Sequence, residues 1–492
     1  MADYVMSVDQ STQGTKALLF DAGGKLICRS DLPHRQIIND QGWVSHDPEE
    51  IMNNTIQVVK DLAAKAGIDK NELRVLGISN QRETSVAWDK DTGKPVCDAI
   101  VWQCSRAKDL CEERFLPYAE TVKSRSGINL SPYFPASKWA WMFENVPHVR
   151  EKAEDGRLAV GTIDSWLVWN LTGGKEFRTD YSNASRTELF NINTLEWDDE
   201  LLKIFGIPRS CMAQVTDSDG DYGTTDFGGW LDAPIPIRSV MGDSHGALFG
   251  QGCLEKGMIK ATYGTGSSIM MNIGETPVFS DAGIVTSLAW SMGGKVNYVL
   301  ENNINYTGAV ITWLKDDLKL ITSPAETGEL AKAANPSDTT YFVPAFSGLG
   351  APYWDSEAKA SISGMTRVTG KNEVVRAAVD SIAYQIADAV RLMEEACGTP
   401  IGELRVDGGP TRNDYLMQLQ SDLTAIPVRI PDSEELSGIG AAYAAGLAQG
   451  IFDESVFSVL NRVSYEPKMD AEVREQKLKG WAKAVETVQS DR

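Results

Sequence analysis

The chain has 492 residues, of which 42% are hydrophobic, and its formal net charge is -21. This length exceeds what one hydrophobic core usually supports, so two or more domains are expected. The acidic balance argues against nucleic acid as a partner, because a phosphate polymer requires a basic surface. No run of about 18 apolar residues is present, which argues against a membrane-spanning helix.

The cysteines and the N-terminus predict a cytoplasmic protein. The seven cysteines are scattered, and none forms a CxxC pair. An odd number of dispersed cysteines is typical of reduced thiols and argues against a disulfide framework or a zinc site. Residues Met1–Tyr4 lack the basic region and apolar core of a signal peptide.

The first predicted unit is a hairpin with a polar turn. A strand over Tyr4–Val8 leads into the turn, and a second strand covers Ala17–Asp21. The turn has hydroxyls, a flexible glycine and a lysine that suit phosphate oxygens; these residues are Ser11, Thr12, Gly14, Thr15 and Lys16. Asp9 is a candidate for holding Mg²⁺ through water, because this ion keeps much of its hydration shell. Without a GxxxxGK[ST] pattern, the turn alone is more typical of an ordinary hairpin.

The next segments predict an α/β architecture. Pro48–Ala66 has helical spacing, with Asp47 as a plausible N-cap and Gly67 as the stop. Leu73–Ser79 is a strand-like run that ends at polar residues. Strands that alternate with helices are typical of α/β proteins.

An acidic residue lies in the middle of the chain. Asp243 follows a strand-like run, Ile235–Val240, and lies in a predicted turn of small residues, Gly242–Gly246. A carboxylate at such a position is well placed to accept a proton in a cleft.

The second half repeats the first unit. Lys260–Tyr263, a turn over Gly264–Ser268 and Ile269–Asn272 predict another strand–turn–strand unit. Glu373–Cys397 predicts a long helix, and Leu404–Asp407 leads into two glycines. The repeat predicts two related lobes, residues 1–252 and 253–492, joined by a hinge near residues 247–257 and separated by a cleft. Two phosphate turns and Gly408-Gly409 together favour a nucleotide site.

Longer motifs give a family resemblance. They cover residues 9–16, 42–48, 79–84, 99–104, 179–186, 343–354 and 405–409. In these segments the chain resembles the FGGY carbohydrate kinases, most closely their glycerol kinases, and the resemblance extends over nearly the whole chain. It implies two actin/hexokinase-like (ribonuclease H-like) lobes with ATP between them. Such kinases are often dimers or tetramers, so a homodimer or homotetramer is a possible assembly.

The resemblance also implies roles for single residues. Asp243 would be the general base toward a primary hydroxyl, and Asp9 would serve Mg²⁺. With Lys16 from the first turn, the predicted nucleotide-binding residues are Thr12, Gly14, Thr15, Thr265, Gly266, Gly308, Thr312, Gly409 and Asn413.

The predicted acceptor site combines charged and aromatic residues. Arg82 and Glu83 offer donors and acceptors for vicinal hydroxyls, although such a pair is also typical of a structural salt bridge. The resemblance implies that this pair and Tyr133 grip the acceptor, and that Trp102 packs on its carbon backbone.

The chain departs from the glycerol kinase pattern beside the predicted base. Ser244, followed by His245, stands where those enzymes have Gln, and Ser268 stands where they have Phe. Both changes remove bulk, so we expect a small polyol or ketose of four or five carbons, such as xylulose, ribulose or erythritol. Glycerol is the alternative acceptor. An inactive ATP-binding regulatory protein is a third reading, which the intact Asp9 and Asp243 disfavour.

Overall fold

The computed structural model describes residues 3–490 and contains two large mixed sheets. The first sheet has, in spatial order, the strands Thr224–Thr225, Ile235–Gly242, Leu73–Asn80, Tyr4–Gln10, Gly14–Phe20 and Leu26–Pro33. The second has Val285–Met292, Lys295–Ile304, Ser267–Gly274, Ile259–Tyr263, Leu404–Asp407, Val428–Pro431 and Arg462–Tyr465.

The two sheets share one topology. Tyr4–Gln10 pairs antiparallel with the following strand and parallel with Leu73–Asn80. In the second sheet, Ile259–Tyr263 pairs antiparallel with the following strand and parallel with Leu404–Asp407. This repeat confirms the predicted α/β fold with two actin/hexokinase-like lobes.

Smaller sheets and the helices complete the architecture. A five-stranded sheet contains Ile37–Ile38, Val44–His46, Ala99–Ile100, Ser85–Asp89 and Leu158–Thr162. Three two-stranded sheets pair Arg178–Asp180 with Gln214–Thr216, Phe190–Asn191 with Glu196–Trp197, and Tyr341–Val343 with Ser361–Ser363. The α-helices are Pro48–Ala66, Lys108–Leu110, Ala119–Ser126, Pro135–Asn145, Val149–Glu154, Ile163–Leu171, Tyr181–Ala184, Asp199–Phe205, Asp243–Gly250, Gly308–Asp316, Thr327–Ala333, Lys371–Cys397, Asp414–Thr424, Leu436–Ala448 and Ala471–Glu486.

The first long helix has the predicted ends. It covers Pro48–Ala66, and the Asp47 side chain accepts hydrogen bonds from the backbone N–H groups of Glu49 and Glu50. Gly67 ends it with a φ of 66°, a left-handed conformation that glycine adopts without steric cost.

The predicted turn around Asp243 is wrong, because this residue begins the helix Asp243–Gly250. The glycines of the segment serve close packing instead. A Cβ atom on Gly246 would lie 2.8 Å from the Ser437 carbonyl oxygen, and one on Gly440 would lie 1.9 Å from the Gly246 carbonyl oxygen. The helices Asp243–Gly250 and Leu436–Ala448 therefore cross with their backbones nearly in contact.

The crossing helices join the two halves. Leu436–Ala448 also lies against the first sheet, since a Cβ atom on Gly77 would be 2.2 Å from the Ala441 carbonyl oxygen. The second half thus contributes a helix to the first sheet, and the division at residue 252 stays a prediction. Within residues 3–490, no helix combines the length and apolar character needed to cross a membrane.

Candidate active site

Arg82 and Asp243 meet where two parallel strands of the first sheet end. Arg82 follows Leu73–Asn80, and Asp243 follows the adjacent strand Ile235–Gly242. The Arg82 Nε atom lies 3.5 Å from Asp243 Oδ1 and 3.9 Å from Glu83 Oε1. One third of the Asp243 side chain remains exposed (33%), whereas Arg82 is buried. The arrangement leaves the Asp243 carboxylate accessible beside a buried cation.

Glu83 adopts an unusual backbone conformation. Its φ is 59°, which non-glycine residues rarely adopt and which costs about 1–3 kcal/mol. Its buried carboxylate accepts a 2.7 Å hydrogen bond from Arg186 Nε. The surrounding contacts therefore hold Glu83 in a strained position at the site.

Two further charged residues complete the cluster, and the sequence reasoning did not assign them. Glu301 comes from the second sheet and lies 2.9 Å from Arg82 Nη1 and 3.1 Å from Arg186 Nη1. Burial alone would raise the pKa of Glu301, but the two guanidinium groups hold it below its ordinary value. Arg186 ends one of the motifs that carry the family resemblance, so its position in that motif was the available signal.

Trp102 and Tyr133 form an aromatic wall next to the first polar turn. Their rings lie 5.5 Å apart at 60°. The Trp102 indole N–H donates to Thr12 Oγ1 at 2.9 Å. The structure thus brings Thr12 together with the predicted acceptor residues.

Asp9 has the properties of a cation ligand. Its Oδ1 atom is buried and accepts no hydrogen bond from the described part of the chain. Burial raises its pKa to about 6; Lys16 opposes this rise, and the negative charge of Asp243 adds to it. Two carboxylates thus share one region, and a divalent cation would relieve their repulsion.

The donor set also agrees with Mg²⁺ held largely through water. Across residues 3–490, no three His, Cys, Asp or Glu side chains are grouped to hold an ion. Mg²⁺ is commonly bound by one or two carboxylates while it keeps several waters. Asp9 has an unpartnered buried oxygen, and Asp243 is near enough to act on its charge, so these two carboxylates fit the predicted ion.

A cleft of about 800 Å³ lies in the second half of the chain. Five of the predicted nucleotide-binding residues line it: Thr265, Gly308, Thr312, Gly409 and Asn413. Gly409 has no atom within 4 Å of the position where a Cβ would stand, so its backbone faces open space. A flat group can therefore approach the main chain there.

The second polar turn, Gly264–Ser268, is hydrogen-bonded to the start of the helix Gly308–Asp316. The Gly264 carbonyl accepts from Gly308 N at 2.9 Å, and the Thr265 carbonyl accepts from Ala309 N at 2.9 Å. A Cβ on Gly308 would stand 2.5 Å from the Gly264 carbonyl oxygen, and one on Gly266 would stand 2.4 Å from the Ile304 carbonyl oxygen. These glycines allow close backbone packing that fixes the turn at the cleft.

Asn413 and several predicted nucleotide-binding residues that do not line the cleft have structural contacts of their own. Asn413 caps the helix Asp414–Thr424 by accepting from Leu416 N at 3.1 Å. The Lys16 ammonium group pairs with Glu435 at 2.8 Å. Thr15 is fully buried in a strand, and Gly14 in the same strand lies against Pro33. Thr12, Gly14, Thr15, Lys16 and Gly266 do not line the 800 Å³ cleft. The nucleotide-binding role of all ten residues stays a prediction.

The three departures from the glycerol kinase pattern occupy different environments. Ser244 is partly exposed, and its backbone N–H donates to Asp243 Oδ1 at 2.6 Å. His245 is fully buried, and neither ring nitrogen has a partner in the described residues. Burial and the neighbouring Arg82 lower its pKa, so the ring is neutral. Ser268 is half-buried on the second sheet, directly opposite Asn303.

The fold and these groups define a class of protein. Two actin/hexokinase-like lobes carry a cleft lined by a glycine-rich turn, and an accessible carboxylate lies beside a buried arginine and a candidate Mg²⁺ ligand. This combination is that of a two-lobed phosphotransferase, in which positioning and charge neutralisation perform most of the catalysis.

Comparisons with known proteins identify the family. The model of the FGGY family of carbohydrate kinases matches residues 4–250 with its N-terminal domain and 259–449 with its C-terminal domain. Glycerol kinase 2 of Thermotoga maritima is 46% identical over 98% of both chains. Glycerol kinase of Alkaliphilus oremlandii is 45% identical over 99% of this chain and 97% of its own.

Solved structures agree with this match. Plasmodium falciparum glycerol kinase with ADP superposes with a TM-score of 0.94 at 35% identity, covering 100% of this chain and 99% of its own. Ligand-bound xylulose kinase from Lactobacillus acidophilus superposes with a TM-score of 0.87 at 20% identity, covering 99% of this chain and 98% of its own. At this identity the match supports the fold alone. The chain belongs to the FGGY family of carbohydrate kinases. This confirms the predicted ATP-dependent kinase class, with ATP and Mg²⁺ as its cofactors.

The raised pKa of Asp9 predicts a pH-dependent requirement for Mg²⁺. Only the ionised carboxylate attracts a cation, so Mg²⁺ affinity should fall as the pH drops from neutrality through about 6. Asp9→Asn should weaken Mg²⁺ binding about 10- to 100-fold and abolish this pH dependence. Calorimetric titration with Mg²⁺ and rates at varied Mg²⁺ measure both effects.

A matched control is Asp164→Asn. Asp164 is also a buried carboxyl with a pKa raised to about 6 by burial, but Thr162 and Thr179 satisfy it. This variant should keep the wild-type dependence on Mg²⁺ and pH. An Asp9→Asn enzyme with an unchanged Mg²⁺ requirement would contradict the assignment.

Proposed function

We propose that this protein transfers the γ-phosphoryl group of ATP to a primary hydroxyl of glycerol. The observation that carries the proposal is the proximity of the predicted acceptor residues. Arg82 lies beside Asp243 and Glu83, and Tyr133, which packs against Trp102, is close enough to Arg82 and Glu83 to interact with their charges. The relatives at 45–46% identity are glycerol kinases. This supports glycerol, the alternative acceptor in the sequence analysis, over the four- or five-carbon acceptor that was its main prediction.

The geometry supports Asp243 as the general base. Its carboxylate is one-third exposed, and its Oδ1 atom lies 3.5 Å from the Arg82 Nε atom. As the acceptor oxygen bonds to phosphorus, its proton passes to the Asp243 carboxylate, and the bond from phosphorus to the ADP oxygen breaks. Arg82 and Glu83 are suited to orient the other hydroxyls.

The phosphate side of the reaction requires charge neutralisation. Mg²⁺, when bound near Asp9, neutralises the charge of the phosphate oxygens. Thr265 of the second polar turn and Gly308 of the following helix both line the proposed nucleotide cleft. Thr12 lies at the other lobe, next to Trp102. Closure of the two lobes would exclude water, which otherwise competes with the acceptor.

A second candidate acceptor is a polyol or ketose of four or five carbons. The observation that favours it is the polar wall of the second sheet at Ser268 and Asn303. These residues are direct partners across two strands, and the Asn303 amide lies 3.4 Å from Glu301 Oε1. The Ser268 hydroxyl is buried without a partner in the described chain. Additional acceptor hydroxyls would find hydrogen-bonding groups there.

An acceptor panel separates the two candidates. Glycerol, erythritol, xylulose and ribulose are each compared by kcat/KM with ATP, and the proposal expects glycerol to be the highest. In the variant Ser244→Gln/Ser268→Phe, which restores the bulk that this chain lacks, the preference for glycerol over the larger acceptors should increase about 10-fold or more. A wild-type preference for a five-carbon acceptor would reject glycerol, and a variant with unchanged preferences would reject the role of these serines.

Substitution of the proposed base tests the mechanism. Asp243→Asn should lower kcat about 100- to 10,000-fold, because the amide cannot accept the hydroxyl proton. ATP binding, measured by calorimetry, should remain within about twofold of the wild type. Ser244→Ala serves as the neighbouring control and should retain most of the activity. A wild-type enzyme that binds ATP but phosphorylates no acceptor would instead support a regulatory protein.

A further inference from the structure

Lys138 is a buried lysine directly behind the aromatic wall. It lies in the helix Pro135–Asn145 and is 0% exposed. Its ammonium group donates to the backbone carbonyls of Pro132 at 2.6 Å, of Tyr133, and of Phe134 at 3.5 Å. Three successive carbonyls of the segment that carries Tyr133 therefore converge on one cation.

The position of Lys138 is energetically unfavourable for a positive charge. Lys138 is in the first turns of its helix, where the helix dipole disfavours cations. Burial adds a second cost and lowers the pKa of Lys138 to about 8, although Glu83 and Glu188 act in the opposite direction. An apolar side chain would fill the space without either cost, so the carbonyl contacts are the contribution specific to lysine.

The direction of the side chain explains how it reaches those carbonyls. Helical side chains point toward the N-terminus of their helix. The Lys138 ammonium group is thereby directed back to the segment that precedes Pro135. A lysine is long enough to span this distance and still donate to several oxygens.

The same segment is fixed from its other end. Glu188 is buried and its Oε1 atom accepts from Ser131 N at 2.9 Å. The Ser131 hydroxyl accepts from Tyr133 N at 3.2 Å. The Arg186 guanidinium, which also binds Glu83, lies 5.1 Å from the Phe134 ring centroid. The segment is thus connected to the charged cluster as well as to Lys138.

We propose that Lys138 is a positioning residue for the acceptor site. By binding the carbonyls of residues 132–134, it holds the Tyr133 ring against Trp102, so that the aromatic wall is formed before the acceptor arrives. The inference rests on the proposed function only in that Tyr133 contacts the acceptor. It assigns no proton transfer and no direct substrate contact to Lys138.

The test is a comparison of Lys138→Met with Lys152→Met. Methionine keeps much of the length of lysine but donates no hydrogen bond. Lys152 lies in the neighbouring helix Val149–Glu154 and is the control, because its ammonium group pairs with Asp89 of the strand Ser85–Asp89. In the described part of the chain it makes no hydrogen bond to residues 131–134. Rates are measured with whichever acceptor of the panel gives the highest kcat/KM.

We expect KM to rise for the acceptor and to stay nearly unchanged for ATP. Lys138→Met should raise KM for the acceptor about tenfold or more and leave KM for ATP within about twofold. It should also speed hydrogen exchange at the backbone amides of Ser131, Tyr133 and Phe134. Combined with Tyr133→Ala, it should add little to the defect of Tyr133→Ala alone, because both act through the same ring. Lys152→Met should behave as the wild type.

Other outcomes would overturn the inference. These are an unchanged KM for the acceptor, an equal rise of KM for both substrates, or full additivity with Tyr133→Ala. A preference for an acceptor other than glycerol would reject the proposed substrate, but it would leave this test valid, since the comparison uses the preferred acceptor.

Discussion

The pairing of one buried carboxylate with two buried arginines is the interaction on which the site depends. Glu301 belongs to the second sheet, whereas Arg82 and Arg186 belong to the first half of the chain. With Glu83, these residues form a buried group of two positive and two negative charges. Burial of charges is costly, and pairing opposite charges in this way offsets much of that cost. The group holds Arg82 beside Asp243 and sets the position of the second sheet relative to the acceptor residues.

Close backbone packing supports the same junction. The helices Asp243–Gly250 and Leu436–Ala448 cross at Gly246 and Gly440, where no Cβ atom would fit. The first of these helices begins with the proposed base. The proposed catalytic carboxylate and the contact between the two halves are therefore parts of one short element. A change in the angle between the halves would move Asp243 relative to the second polar turn.

The periodic parts of the fold were predictable, and the close-packed parts were not. The helix Pro48–Ala66 and the strand Leu404–Asp407 have the predicted bounds, because their apolar spacing and caps are local signals. The segment around Asp243 was predicted as a turn, since its glycines resemble turn residues. Only the contact with Gly440, nearly 200 residues later, shows that they serve helix packing. Glu301 was missed for a related reason: its partners lie far away in sequence, and a lone glutamate in the strand Lys295–Ile304 carries no functional signal.

The measurement that tests this account most directly is the kinetics of Glu301→Gln, a substitution that keeps the shape and removes the charge. The two arginines would then keep only Glu83 and Asp243 as anionic partners. The account predicts that kcat/KM for the preferred acceptor falls about 100-fold or more. ATP should still bind in the cleft of the second half, which does not contact Glu301. A folded Glu301→Gln protein with nearly wild-type kcat/KM for the acceptor would contradict the account, because the two arginines would then be held in place without the charge of the second lobe.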